Sequence, residues 1–176
     1  ELGLKLSDET ELEIEALLDD EISSTPPNQI GKAKRIDDAI DRYVSFCKDT
    51  VDSTFNLNTL KIVLDCAHGA TYQVAPRLFS DFGADVIAIN NQPDGLNINH
   101  NAGSIHPKVL QKSVIDNSAD IGIAFDGDGD RVIMSDSMGN LIDGDQLLFL
   151  IVQNYLKKNK LTGGVVGTLM TNLALE

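Results

Sequence analysis

Basic residues are scarce in this sequence. Fourteen lysines and arginines stand against 27 aspartates and glutamates, a net charge of −13. A surface of that sign repels nucleic acid and anionic lipid headgroups, so neither nucleic acid nor membrane is expected as a partner. Cysteine is scarce too. Cys47 and Cys66 both lie inside otherwise apolar patterns, and two cysteines make no disulfide framework. They read as reduced core thiols in a cytoplasmic protein. No apolar run comes near the roughly 20 residues that a membrane span needs. No secretory signal is visible, because the chain opens on Glu1 and soon turns acidic. An initiator methionine is missing as well, and a piece of a longer polypeptide is expected. Neither a repeat nor a low-complexity tract is present.

What the chain does contain is 176 residues, 42% of them hydrophobic, enough for one domain or slightly more. Ser7 to Ile22 reads as an amphipathic helix. Ser7 caps it, Asp8 and Glu9 suit its positive end, and Ile14, Leu17, Leu18 and Ile22 form one face for burial. Ser23-Ser24-Thr25-Pro26-Pro27-Asn28 then breaks the chain as a linker. A second helix follows, with Ile36, Ile40, Tyr43, Val44, Cys47 and Val51 at helical spacing, again for burial.

From Leu60 onward short apolar strands alternate with helices. Strands are predicted over 61–65, 85–90, 121–125, 132–135 and 165–169. Helices are predicted over 71–82, 107–117 and 143–158, with Pro107 acceptable in a first turn. Such alternation indicates a layered α/β/α domain with a mixed, largely parallel sheet, flanked by partial neighbouring domains.

The chemistry concentrates in Asp126-Gly127-Asp128-Gly129-Asp130-Arg131. Alternate residues of an extended chain point the same way, so three carboxylates can converge while the glycines let the loop curl. Like charges about 4 Å apart repel by about 4 kcal/mol per pair at an effective dielectric near 20. A divalent cation removes that repulsion, and Arg131 relieves what remains. Mg²⁺ suits such hard oxygen donors, and the apolar strands on either side place the loop at a sheet end. A plain turn needs only two such residues. A calcium loop of the EF-hand type fits less well, since Arg131 and Ser137 stand where that motif needs Gly and Glu, and the flanks are strands.

This loop resembles the metal-binding loop of the α-D-phosphohexomutase superfamily, and within it the chain is most similar to the bacterial phosphoglucosamine mutases. Gly95-Leu96-Asn97-Ile98-Asn99, Gly103-Ser104-Ile105-His106-Pro107 and Gly144-Asp145-Gln146 carry the same resemblance, although the family usually has Cys and Thr where Ala102 and Ile105 stand. The resemblance implies a four-domain enzyme. One Mg²⁺ per chain would be held by Asp126, Asp128 and Asp130, beside a phosphoserine in the first domain, with Arg131 supporting the transferring group. The substrate would be a hexosamine phosphate, glucosamine 6-phosphate converted to glucosamine 1-phosphate through a bisphosphate, as a precursor of UDP-N-acetylglucosamine. The intact enzyme could be a homodimer.

The resemblance also implies the domain division. Residues 1–30 would be the tail of the first domain, 31–140 the second domain, and 141–176 the start of the third. No Ser-His-Asn-Pro stretch, the family's nucleophile loop, occurs in the chain.

Two other readings stay open from the residues alone. A haloacid-dehalogenase-type phosphatase would use Asp126 as nucleophile and Asp128 as acid–base, although Asp130 stands where that family expects Thr or Val. A non-catalytic metal-binding module is the other. Weaker signals read structurally. Asp65-Cys66-Ala67-His68-Gly69-Ala70-Thr71 is a strand-to-helix turn in preference to an anion site. His68, His100 and His106 are hydrogen-bonded loop residues in preference to proton carriers. Asp143 and Asp145 start a helix.

Overall fold

The computed structural model describes residues 5–21 and 24–172. The chain separates into two compact units, Glu1–Ile36 and Asp37–Glu176. In the first unit, helix α1 runs over Asp8–Ala16, with Ser7 as its N-cap accepting from the Thr10 amide. The expected helix over 7–22 is thus cut short. Asp19, Asp20 and Glu21 would place negative charge on the negative end of the helix dipole, and residues 17–18 form a turn and 19–20 a bend instead. The expected buried face is also corrected, because Ile14, Leu17 and Leu18 are all exposed. Ile22 lies outside the described residues.

The second unit is an α/β/α sandwich. It contains helix α2 (Ala39–Asp49), strand β1 (Lys61–Asp65), helix α3 (Val74–Asp81), strand β2 (Asp85–Ile89), helix α4 (Pro107–Asp116) and strand β3 (Ile121–Phe125). Strands β4 (Val132–Asp136) and β5 (Leu141–Ile142) and helix α5 (Gly144–Lys157) follow. The sheet order is β2-β1-β3-β4-β5. β1 pairs parallel with both β2 and β3, while β4 runs antiparallel to β3 and to β5. Four of the five strands therefore point one way and only β4 opposes them. β5 was not foreseen, since two residues carry no periodicity to read.

Side-chain alternation along the strands builds two cores. Ile62, Leu64 and Ile123 face Ala75 and Phe79 of α3, whereas Val63 and Ala124 face Leu110 and Val114 of α4. Gly122 lets α4 approach, since a Cβ there would meet Val114 and Leu110 at 2.5–2.9 Å. The chain leaves β1 in one direction to β2 and returns past it to β3. Right-handed crossovers in opposite directions put the two helices on opposite faces. α2 buries Val44 and half-buries Ile40 and Cys47 beside α3, with Arg77–Asp41 and Lys48–Asp81 ion pairs at the seam. Ile36, Tyr43 and Val51 of its expected face stay exposed. Both cysteines are free, Cys66 buried and Cys47 half-buried. Burial pushes the Cys66 thiol up to about 11.

The strand expected over 165–169 is not formed. No described segment pairs with those residues, and Val166 and Leu169 are fully open to solvent. A strand exists only through a ladder partner, so its apolar pattern alone could not make one. Helix α5 begins as expected, with Asp143 and Gln146 forming a reciprocal capping box. Asp145 accepts from the Asn172 amide at 2.9 Å.

The two-faced core gives a direct test on one helix. Leu110→Ala, at a fully buried site, should cost about 2–5 kcal/mol of stability in urea denaturation. Ile115→Ala, on the 55% exposed side of α4, should cost about 1 kcal/mol or less.

Candidate metal centre

In an open α/β sheet, ligands bind beyond the carboxyl ends of the strands, where the strand order reverses. Here the order reverses at β1, whose neighbours β2 and β3 are reached by crossovers in opposite directions. Asp65 ends β1, Asn90 follows β2, and Asp126 follows β3, so three polar residues meet at this edge.

The sequence-predicted residues come together there. One carboxylate oxygen from each of Asp126, Asp128 and Asp130 lies within 4.8 Å of the others. Their environments differ. Asp126 is 1% exposed, while Asp128 and Asp130 are open to solvent. Arg131 holds the buried one. Its backbone N–H donates to Asp126 Oδ1 at 3.0 Å, and its Nε donates to Oδ2 at 2.9 Å. A terminal guanidinium nitrogen lies 2.8 Å from the same Oδ2, and Nε lies 3.5 Å from Asp130 Oδ1. Gly129, with φ +77°, turns the chain so that its amide donates to the Asp126 carbonyl.

Charge distributes accordingly. Burial alone would raise the Asp126 carboxyl, but hydrogen bonds from the Arg131 amide, Asp128 and the guanidinium outweigh it and hold the group below the usual carboxylate range. Asp128 moves the other way, pushed up by its hydrogen bond to Asp126 and by the charges of Asp126 and Asp130. A proton entering the loop therefore belongs on Asp128, and Asp126 stays anionic. Three oxygen donors of net charge this negative fit a hard divalent cation.

Two further loops brace the centre. The turn after β1 approaches so closely that a Cβ on Gly69 would fall 2.6–2.7 Å from the Cα and carbonyl carbon of Gly127. The Ala70 amide donates to the Gly127 carbonyl at 2.8 Å. That amide serves the protein's own carbonyl, so the stretch is a brace for the aspartate loop as well as a strand-to-helix turn. On the other side, the Ser104 amide donates to the Phe125 carbonyl at 2.8 Å, and Ile98 covers Gly127. A cavity of about 440 Å³ opens between the braces, lined by His68, Tyr72, Asn97, Ile98, Gly127 and Asp128.

The histidines stay apart from the carboxylates' hydrogen bonds. His68 Nδ1 meets the Gln92 backbone at 3.1–3.3 Å, His100 meets Asn101, and the His106 amide donates to the Gly103 carbonyl. Sequence reasoning passed over Asp65 and Asn90 as site-forming residues. A carboxylate closing an apolar strand next to another such strand was the signal that could have found them.

The centre and fold define the class. Residues 41–139 match the description "Phosphoglucomutase/phosphomannomutase, alpha/beta/alpha domain II", and the chain belongs to the phosphoglucomutase/phosphomannomutase family. Among individual relatives, the phosphoglucosamine mutase of Methylobacillus flagellatus is 60% identical over 174 residues, which is 99% of this chain and 38% of that protein. That of Pseudomonas fluorescens is 56% identical, over 99% of this chain and 39% of the relative. The chain thus spans under two fifths of the length of these curated relatives. A crystal structure of a phosphoglucomutase/phosphomannomutase family protein from Burkholderia thailandensis aligns with 31% identity and a TM-score of 0.57. It covers 68% of this chain and 26% of the larger one. The alternative of a haloacid-dehalogenase-type phosphatase fits the geometry poorly, because Asp126 is ill placed as a nucleophile, being buried and held on both oxygens by Arg131.

The close packing at Gly69 carries a prediction. Gly69→Ala must displace the Gly127 backbone, and it should weaken divalent-cation binding at the loop about tenfold or more, as loss of supporting contacts does at other metal sites. Gly144→Ala, with nothing within 4 Å of the added methyl, should leave it unchanged. Calorimetric titration of the two variants reads the difference.

Proposed function

We propose that the polypeptide containing this chain is a Mg²⁺-dependent phosphoglucosamine mutase. It interconverts glucosamine 6-phosphate and glucosamine 1-phosphate through a phosphoserine and a bisphosphate intermediate. The observation that carries the proposal is the convergence of Asp126, Asp128 and Asp130 within 4.8 Å at the switch point of the sheet. The identity of 53–60% to phosphoglucosamine mutases over nearly the whole chain supports the choice of sugar.

On this reading each residue has a separate task. Asp126, buried and held ionised by Arg131, is the fixed ligand, while Asp128 and Asp130 complete the donor set from the solvent side. Mg²⁺ held there would supply a Lewis acid that neutralises charge on a phosphoryl oxygen. Arg131 has five N–H donors. Those not engaged by Asp126 face solvent with a side chain 68% exposed, and they can offset charge spreading over the transferring group. The cavity beside Asp128 gives a phosphate-bearing group access to the loop. On the same reading, the serine and the sugar contacts would come from parts of the longer polypeptide outside this chain. In keeping with that, we assign residues 1–30 to the tail of a first domain, 31–140 to a second, and 141–176 to the start of a third.

Among the described residues no helix is long and apolar enough to cross a membrane. The strongly acidic surface argues against nucleic acid as a partner.

A coupled assay of the full-length polypeptide with glucosamine, glucose and mannose phosphates tests the proposal. Glucosamine phosphate should be clearly preferred. Asp128→Asn should lower turnover by at least the ~10–100-fold that loss of an outer supporting partner costs a metal site. A preference for mannose phosphate, or full turnover in the variant, contradicts the assignment.

A further inference from the structure

Among the described residues, Asp65 and Asp126 are the two charged side chains that are buried, and only Asp126 belongs to the carboxylate cluster. A carboxylate withdrawn from water needs compensating donors. Asp65 has two. Its Oδ1 accepts from the Ala67 amide at 3.0 Å and its Oδ2 from Asn90 Nδ2 at 2.9 Å. Asn90 in turn accepts the His68 amide on its carbonyl at 2.6 Å. The Asp65 side chain and the Asn90 backbone carbonyl therefore grip the turn after β1 at consecutive residues, and the Asn90 side chain ties the two together.

That turn is held in an uncommon shape. Ala67 and His68 have φ of 52° and 49°, in the left-handed region that non-glycine residues seldom occupy. Such a conformation persists only where surrounding contacts over-determine it. Its consequence is the placement of the next two residues. Gly69 lies against the Gly127 backbone, and Ala70 donates to the Gly127 carbonyl. The Ala67 carbonyl also accepts the Asn99 amide at 2.8 Å, which seats the loop whose Ile98 covers Gly127 from the other side. Gly127 stands between Asp126 and Asp128.

We propose that Asp65 is a positioning residue for the metal loop: together with Asn90 it locks the turn 66–69 in its left-handed form, and that turn sets where Asp126 and Asp128 stand. The proposal rests on the metal-loop reading above, and its test includes a measurement that does not. Hydrogen bonding, more than charge, does the holding. Asp65→Asn keeps the acceptor for Ala67, and a rotated Asn90 amide can present its oxygen to the new NH₂ group. Asp65→Ala leaves both donors unmatched.

The experiment compares full-length parent, Asp65→Ala, Asp65→Asn, Asn90→Ala and, as a control of similar destabilisation, Leu110→Ala. Amide hydrogen exchange at Ala70 and calorimetric affinity for Mn²⁺ are read in each, well below the melting temperature. Exchange at Ala70 should speed up about tenfold or more in Asp65→Ala, and Mn²⁺ affinity should fall about 10–100-fold. Asn90→Ala should show the same changes more weakly, Asp65→Asn should stay near the parent, and Leu110→Ala should show neither. Asn90→Ala carries the test if Asp65→Ala does not fold. Unchanged Ala70 exchange in both variants overturns the proposal, as does an equal loss of affinity in Leu110→Ala. A parent that binds no Mn²⁺ would count against the metal-loop reading, and Ala70 exchange would still decide the role of Asp65.

Discussion

The centre depends on keeping one buried carboxylate charged. Asp126 is withdrawn from water at the end of β3, where desolvation opposes ionisation. Arg131, five residues on, returns to satisfy both of its oxygens. The buried end of the loop is thereby fixed, and the two exposed aspartates can crowd against it. Without that clamp the carboxylates would spread or take up protons. The two braces matter for the same reason. They hold the loop's backbone where only glycine fits, so the carboxylates cannot relax by moving the chain.

This arrangement also explains why the site needs a whole sheet. Asp126 lies beyond β3, the turn 66–70 beyond β1 and Asn90 beyond β2, residues far apart in sequence. Parallel pairing puts these strand ends side by side, and α3 and α4 press the strands into one layer from opposite faces. The core therefore acts on the chemistry by setting where strand ends lie.

Much of this was legible from residue order. Alternating Asp and Gly ending in Arg announced a convergence of three carboxylates, and the three oxygens do lie within 4.8 Å of one another. Strands β1 and β3 were readable to the residue, since each is a short apolar run that a carboxylate stops, at Asp65 and at Asp126. Other features were not legible. The apolar residues of α1 have helical spacing yet remain exposed, because periodicity shows which residues share a face and not what covers it. Val165 to Leu169 has strand composition but no ladder partner among the described residues. The brace at Gly69 was hidden because it depends on the approach of two backbones 58 residues apart, which no local pattern encodes. Asp65 looked like an ordinary turn former for the same reason.

The central claim is that a divalent cation sits on this loop, anchored by the buried Asp126. Paramagnetic broadening by sub-stoichiometric Mn²⁺ tests it most directly, read on backbone amides of the full-length polypeptide. The account predicts that broadening centres on Gly127 to Arg131, reaches Gly69 and Ala70 across the brace, and is reversed by excess Mg²⁺. Broadening centred on the acidic helix Asp8–Ala16, or none at the loop, would contradict it.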